Sequence, residues 1–224
     1  MSLLPYTLPL VLGFTVPAVL VGSWLGAASD NLAVAEAAPV EVARAELRDE
    51  GYCSPSLKQI VRRVAGACGL LGGRGCQPTD ASNVVKLAPE DFNALFLPLK
   101  HRVRIIQFDQ SKTDLDDEAR RAVEEAWGDR GGARFFFVVS RASPEGSVEL
   151  NRELSAKRAQ AVLDHLMMVY KDPDIEKQVG LLWLGEEFAQ LTADFCTWSR
   201  SRTGACDDKD INRSAFIAWI DCSI

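Results

Sequence analysis

Histidine and paired cysteines are scarce in this sequence, and their scarcity argues against several kinds of site. The chain has 224 residues but only two histidines, His101 and His165, and none of its six cysteines belongs to a Cys-x-x-Cys pair. Because zinc sites usually take their ligands from closely spaced pairs of such residues, we expect no metal and no cofactor. No nucleophile stands beside a base, and no paired acids stand out. We therefore predict that the protein is not an enzyme.

Basic residues are too few to favour nucleic acid as a partner. The chain carries 25 Lys and Arg against 31 Asp and Glu, a formal net charge of −6. Without a basic stripe, a protein cannot displace the counterions that surround nucleic acid. A hydrophobic fraction of 47% and a charged fraction of 25% nevertheless suit a globular core. The length allows one domain of ordinary size and an appendage.

Charged side chains are absent from residues 1–29. Within them, Leu10 to Ala27 is almost wholly apolar and long enough for a transmembrane helix, so we predict an uncleaved membrane anchor over 1–29. A cleaved signal peptide is the alternative, because Gly26 to Ala28 offers a small-residue cleavage site. That alternative lacks its basic region, since the first basic residue is Arg44. No cysteine directly follows the segment, which excludes a lipoprotein anchor.

Residues 30–100 form a predicted connecting region that is helical and contains cysteines. Ser54 and Pro55 suit the start of a helix. Its apolar residues then recur at helical spacing, at Leu57, Ile60, Val61, Val64 and Cys68. A second short helix is expected from Pro89. We expect this region to pack, space or dock, and to carry no chemistry.

Strands and helices alternate in the predicted C-terminal domain, residues 101–224. The expected strands cover 103–108, 134–140, 179–184 and 215–220. One helix is expected to begin at a cap formed by Asp114, and another at about Ser147 to bury Leu154, Val162, Leu163 and Leu166. The order predicts an α+β fold, a mixed sheet with helices on one face.

The six cysteines leave two interpretations open. In an oxidising compartment they predict two or three disulfides, whereas in a cytosolic protein they would be free buried thiols. Cys196 and Cys206 flank a polar loop that a bridge could staple. The other four, at positions 53, 68, 76 and 222, allow three pairings that sequence alone does not separate.

The segment from Ser140 to Val162 resembles the signature of OmpA-like peptidoglycan-binding domains. It reads as a strand, a Gly146-Ser147 turn, Asn151, and then Leu-Ser-Ala-Lys-Arg-Ala opening a helix. The pairs Phe108-Asp109 and Asn212-Arg213 resemble the family's first strand and its lead-in to the closing strand. The resemblance covers about residues 102–222. It implies a βαβαββ fold, a cell-envelope location and a disulfide between Cys196 and Cys206.

The resemblance also implies a ligand site. In the family, an Asp in the strand-to-helix turn and an Arg on the helix hold the charged end of diaminopimelate in the peptidoglycan stem peptide. Arg158 is present, and Asn151 lies seven residues earlier on the same helix face. Ser143 stands where the Asp would be, which should weaken binding by about 1–2 kcal/mol. Glu145 is the candidate to supply the missing carboxylate.

These features predict a non-enzymatic protein of the bacterial inner membrane, single-pass, with its C-terminal domain in the periplasm. It would anchor an inner-membrane component to peptidoglycan, with other envelope proteins as partners. The alternative is a structural subunit of a multiprotein envelope complex that keeps the OmpA-like fold but has lost peptidoglycan binding. A stator-type ion-channel subunit is disfavoured, because such a subunit needs an ionisable carboxylate in its membrane span and residues 1–29 have none.

Overall fold

A computed structural model describes residues 51–68 and 76–223 of the chain. These residues belong to one compact unit, Asp49–Ile224. The predicted membrane anchor at 1–29, the cleavage alternative and residues 30–50 of the connecting region lie outside the described residues. Among the helices that are described, none combines the length and the apolar character needed to cross a membrane.

The first half of the described chain is mainly helical, and the second half alternates strands with helices. In chain order the elements are α1 (Pro55–Ala67), β1 (Thr79–Asp80), α2 (Ala81–Val84), α3 (Pro89–Ala94), a 3-10 turn (Leu97–Leu99), β2 (Val103–Gln107), α4 (Asp117–Gly128), β3 (Phe135–Ser140), α5 (Val148–Tyr170), α6 (Ile175–Gln178), β4 (Val179–Trp183), a 3-10 turn (Ala193–Thr197), α7 (Asp208–Asn212) and β5 (Ser214–Ile220).

The strands form one five-stranded mixed sheet in the order β1-β4-β3-β5-β2. Strands β1, β4 and β3 are parallel, and β5 runs antiparallel between β3 and β2. The predicted order of strands and helices over 101–224 is confirmed. The two-residue β1, contributed by the connecting region, adds a fifth strand that the sequence did not indicate.

Polar side chains fix where the main helices begin. The hydroxyls of Ser54 and Ser147 accept hydrogen bonds from the backbone N–H of the third residue of α1 and of α5, each at 3.2 Å. Asp116, two residues after the predicted cap Asp114, accepts from the Ala119 N–H at 2.8 Å and begins α4. Helix α5 ends at Lys171, whose left-handed φ of 51° stops the helix.

Both faces of the sheet are covered by helices, which differs from the predicted single face. One side of β3 directs Phe136 and Val138 toward α4 and α5, and the other directs Phe135 and Phe137 toward α1 and α3. The reason is the composition of β3. All six of its residues are buried, so neither face can be left to water. The described part of the connecting region is therefore a layer of the same compact unit.

Helix α1 approaches the sheet closely at Gly180 in β4. A Cβ atom at this position would lie 2.2 Å from Phe135 Cζ and 2.9 Å from Val64 Cγ1. Only a glycine leaves room for both side chains, which lets α1 seat against the sheet. On the opposite face Leu154, predicted to be buried, is only partly so. Ser155 faces the sheet there instead, and its carbonyl accepts the Ser140 hydroxyl at 2.5 Å.

The outer edge of β2 is closed by the loop between the two cysteines at 196 and 206. The Ile105 N–H donates to the Ser199 carbonyl and the Ser201 N–H donates to the Ile105 carbonyl, both at 2.9 Å. At the other edge, β1 is only two residues long. Covered and short edges both reduce pairing between molecules.

Three disulfides hold the described chain, and they resolve the pairing that the sequence left open. Cys53 pairs with Cys222, and Cys68 pairs with Cys76. Cys196 and Cys206 form the bridge that the family resemblance implied. The first bridge spans 169 residues, so it joins the beginning of the described chain to the strand that closes the sheet.

Candidate functional site

The predicted site residues lie at one end of the sheet, where the turns after β2 and β3 meet the start of β5 and the N-terminus of α5. We call this the α5 end. The opposite end, where β5 finishes, carries the Cys53–Cys222 bridge and is called the bridge end.

Glu145 is the centre of an ion-pair network at the α5 end. One carboxylate oxygen accepts from Arg213 Nη2 at 2.9 Å and from the Ser143 hydroxyl at 3.2 Å. The other accepts from Lys209 Nζ at 3.0 Å. The hydrogen bonds from Lys209 and then Arg213 hold the pKa of Glu145 below its ordinary value. The group is therefore a carboxylate at neutral pH, and its side chain is 26% exposed.

Lys209 and Arg213 complete this network, although neither was among the predicted site residues. Both belong to the segment around α7, which begins with a capping box between Asp207 and Asp210. Lys209 is 57% exposed, whereas Arg213 is 17% exposed and also pairs with Asp210 Oδ1 at 3.3 Å. The one available signal was the Asn-Arg pair before β5.

Arg158 lies beneath this network and donates to the backbone. Its three nitrogens donate to the carbonyls of Lys112 at 3.0 Å, Arg141 at 3.0 Å and Asp109 at 3.2 Å. The guanidinium stacks over the Phe108 ring at 5.2 Å, and only 1% of the residue is exposed. Burial lowers the pKa of Arg158 to about 10, so it stays charged at neutral pH. Arg158 thus fixes the loop after β2 against the turn after β3.

Asn151 braces the turn that carries Glu145. Its amide donates to the Glu145 carbonyl at 3.3 Å and also to the Glu186 carboxylate. Gly146 lies between them with a φ of +114°, a conformation that strongly favours glycine. The buried amide therefore sets the path of the turn.

The structure brings the four predicted residues to one place, in two layers. Ser143, Glu145 and Asn151 are joined by direct hydrogen bonds at the surface turn. Arg158 makes no described hydrogen bond to these three, and it reaches them through Arg141, two residues before Ser143.

Arg141 is a second buried guanidinium, and no local sequence pattern indicates its burial. It donates to the Ala189 carbonyl at 2.9 Å and to Asn93 Oδ1 at 3.0 Å, on the face opposite Arg158. Its Nη1 has no partner among the described residues. Burial lowers its pKa to about 9. Arg141 and Arg158 thus place two buried guanidinium groups at the α5 end, one on each face of the sheet.

Arg202 links the loop between Cys196 and Cys206 to this end of the sheet. Its guanidinium donates to Asp109 Oδ1 at 2.9 Å and to Asp116 Oδ2 at 3.0 Å. The loop after β2 is therefore held from two sides, by Arg158 and by Arg202. Across residues 51–68 and 76–223, no group of three His, Cys, Asp or Glu side chains could hold a metal ion.

No protein-family model matches this sequence, and no curated protein matches it. Among solved structures, the chain is similar to the peptidoglycan-associated lipoprotein from Burkholderia pseudomallei, with 20% identity over 55% of this chain and 92% of that one and a TM-score of 0.40. It is also similar to the OmpA-like domain of FopA1 from Francisella tularensis, with 18% identity over 54% and 74% and a TM-score of 0.38. A third is the cell wall anchor of the T6SS from Pseudomonas aeruginosa, with 17% identity over 50% and 73% and a TM-score of 0.35.

Proposed function

We propose that this is a non-enzymatic cell-envelope protein that binds the stem peptide of peptidoglycan at the α5 end. The observation that carries the proposal is the partly exposed Glu145 carboxylate beside the Arg213 guanidinium, 2.9 Å apart. A carboxylate and a guanidinium side by side complement the ammonium and the carboxylate of one amino-acid head group. Diaminopimelate presents such a head group at the end of its side chain.

Lys209 occupies the place that a ligand ammonium would take. Its ammonium group contacts Glu145 Oε1 at 3.0 Å, and its side chain is mostly exposed. Solvent-exposed pairs of this kind contribute little to stability, because water and salt screen them. A diaminopimelate ammonium can therefore displace Lys209 at small cost and keep the same carboxylate oxygen.

Arg213 would hold the ligand carboxylate, and Arg158 and Asn151 would act as positioning residues. Arg213 is the accessible guanidinium of the site, whereas Arg158 is 1% exposed and donates to three carbonyls. In this proposal Arg158 keeps the loop after β2 in place, and Asn151 keeps the Glu145 turn in place. Ser143 contributes a neutral hydrogen bond in the position of the family's Asp.

The two ends of the sheet suit an anchor between a membrane and the wall. Strand β5, which is seven residues and about 23 Å long, lies between Arg213 and the Cys53–Cys222 bridge. The described chain begins at the bridge end, at residue 51, remote from the ligand site. We propose that residues 1–29 anchor the protein in the inner membrane and that the domain is periplasmic. The three disulfides support an oxidising compartment.

One observation favours the alternative, a structural subunit of an envelope complex without peptidoglycan binding. The Glu145 carboxylate already has two cationic partners within the protein, Lys209 and Arg213. A network that is satisfied internally can serve only to fix the turn between β3 and α5. The same experiment separates the two functions.

The test is co-sedimentation of the full-length protein, in a mild detergent, with purified diaminopimelate-type peptidoglycan. We expect retention of the native protein and loss of retention in Glu145→Gln and in Arg213→Gln. The matched control is Glu153→Gln, which removes an exposed α5 carboxylate whose described ion pair is with Lys157, at 2.6 Å, and not with a residue of the Glu145 network. Absence of retention in the folded native protein would refute the proposal and support the structural alternative.

A further inference from the structure

A pocket of about 290 Å³ lies beside the proposed site, between the start of α5 and the β1 edge of the sheet. Its wall includes side chains from three parts of the chain. They are Asp80 at the end of β1 and Ser82 after it, Trp183 at the end of β4 and Phe188 after it, and Arg152 and Glu187 at the rim. The volume is near the lower end for small-ligand sites, about 300 Å³.

The position of this pocket follows from the topology of the sheet. Strands β1 and β4 are parallel, and Asp80 is the register partner of Trp183. Both strands end at the pocket. In sheets with parallel strands, ligands bind in the crevice outside the carboxyl ends of the strands. The two-residue β1 and helix α2 therefore supply one wall of a crevice that the four other strands would leave open.

The chemistry of the lining favours a sugar. The partly exposed indole of Trp183 and the ring of Phe188 offer flat apolar faces on which the C–H groups of a pyranose can stack. Asp80 accepts the Ser82 N–H at 2.9 Å through Oδ1, and Oδ2 accepts no hydrogen bond from the described residues. A planar carboxylate oxygen of this kind can accept a hydroxyl of the sugar.

An ion pair forms the rim between the pocket and the proposed peptide site. Arg152 Nε donates to Glu187 Oε2 at 2.8 Å, and both side chains are about half exposed. The neighbouring pair, Asn151 with Glu186, braces the Glu145 turn. Gly185, between β4 and this rim, has a φ of +65°, a backbone conformation that favours glycine. The pocket and the peptide site thus share one wall.

We propose that this pocket binds a sugar of the peptidoglycan glycan strand, with Trp183 as the stacking platform and Asp80 as a hydroxyl acceptor. The proposal rests on the proposed function, because it assigns to the same ligand a second point of contact. It predicts that the protein binds a disaccharide-peptide more tightly than the stem peptide alone, by about five- to tenfold.

The experiment uses the full-length protein in detergent micelles, labelled with ¹⁵N at its tryptophan indoles. The probe is the N-acetylglucosamine trimer, and the readout is the Trp183 indole resonance, assigned with Trp183→Leu. We expect the trimer to shift this resonance and to leave those of Trp127 and Trp219 unchanged. Both of these stack with each other at the α4 side of the sheet, remote from the β1 edge.

The second part of the test measures the affinity of the native protein and of three variants for two ligands. They are the disaccharide-tripeptide and the bare diaminopimelate tripeptide. We expect Trp183→Leu to remove the difference between the two ligands and to leave the affinity for the bare peptide unchanged. Tyr170→Leu, an exposed aromatic residue at the far end of α5, is the control that should keep the difference. Asp80→Asn should reduce it without altering the packing of β4.

The outcomes separate this proposal from the proposed function. A Trp183 resonance that does not respond to the trimer, or equal affinities for the two peptides, would overturn the sugar pocket alone. A response of Trp183 to the bare tripeptide as large as to the trimer would also overturn it. A response to the trimer with no binding of the bare tripeptide would leave the pocket standing and refute the peptide site.

Discussion

The two ends of β5 are built in different ways. At the bridge end, a disulfide joins Cys53 to Cys222, and Asp221 beside it pairs with Arg102 at 2.8 Å and with the Tyr52 hydroxyl. At the α5 end, no disulfide crosses between elements of the proposed site, and Glu145, Lys209 and Arg213 meet through hydrogen bonds. A covalent link closes the first end, while the second is held by charged groups, one of which we propose a ligand displaces.

Removing the disulfide at the bridge end should change the free energy of unfolding more than any other substitution considered. Replacing Cys53 and Cys222 by serine should lower the free energy of unfolding by about 4–5 kcal/mol, because the bridge closes a very long loop in the unfolded chain. Retention on peptidoglycan should be unchanged. Denaturant unfolding followed by circular dichroism measures the first quantity, and co-sedimentation measures the second.

The control for this variant is the short bridge. Replacing Cys68 and Cys76 by serine opens a loop of only eight residues, so we expect a loss of about 2–3 kcal/mol. Equal losses for the two pairs would contradict the account of the long bridge. Loss of retention in the folded Cys53/Cys222 variant would show that the two ends are not independent.

Removing the buried Arg158 guanidinium should have the next largest effect, at the α5 end. Arg158→Met removes the donor of the Lys112 and Arg141 carbonyls and one of two donors of the Asp109 carbonyl, so it should lower the free energy of unfolding by about 3 kcal/mol. It should also reduce retention on peptidoglycan, because the loop after β2 loses its position. Unfolding curves and co-sedimentation test both statements.

Arg141→Met is the matched control for Arg158. It removes a buried guanidinium two residues before Ser143, but on the opposite face of the sheet, where it donates to Ala189 and Asn93. We expect a loss of about 2 kcal/mol with retention preserved. If both variants lost retention equally, Arg158 would have no specific role at the site.

The third effect concerns Glu145 itself. Glu145→Gln replaces charge-assisted hydrogen bonds by neutral ones, so affinity for the diaminopimelate tripeptide should fall about tenfold. Titration calorimetry of the native protein and this variant measures the change. A variant that binds as tightly as the native protein would remove Glu145 from the site.

The pH dependence of stability gives a second test of the role of the Glu145 carboxylate. The pKa of Glu145 is lowered in the folded protein, so its contribution is present above the unfolded value of about 4.3 and is lost as pH falls through the folded value. The stability difference between the native protein and Glu145→Gln should therefore be constant between about pH 5 and 7 and shrink below about pH 4. A difference that grew on acidification would contradict this sign.

The smallest loss of stability is expected for a substitution at the bridge end. Tyr52→Phe removes the hydroxyl that donates to Asp221, which should cost about 1 kcal/mol and leave ligand binding intact. Burial raises the pKa of Tyr52 to about 12, so in the native protein this hydrogen bond should persist above pH 10, where a free tyrosine ionises. In a spectrophotometric titration, the native protein should show one tyrosine that ionises at about pH 12, and the variant should lack it.

Periodicity and capping residues were enough to predict most of the C-terminal elements. The four predicted strands agree with the structure to within one residue at each end, and Ser147 begins α5 as expected. Helix α1 was also predicted from its apolar stripe. Its packing partner was not, because a stripe shows that a face is buried but not against what. The two-residue β1 has no periodicity that a sequence could reveal.

The sequence predicted those site residues that lie close together along the chain, but not those that come from distant segments. Ser143, Glu145 and Asn151 belong to one continuous motif. Lys209 lies 64 residues after Glu145 and Arg213 lies 68 after it, so their contacts depend on how β5 pairs with β3. The burial of Arg158 likewise depends on the loop after β2, which approaches it only in the folded sheet.

The most direct test of peptidoglycan binding at the α5 end is a backbone NMR titration of the full-length protein with a diaminopimelate-containing stem tripeptide. We predict that resonances of the turn from Ser143 to Asn151 and of Lys209 and Arg213 shift together. Those of Tyr52, Arg102 and Asp221 at the bridge end should stay unchanged. Shifts confined to the bridge end, or no shifts in the folded protein at saturating peptide, would contradict the account.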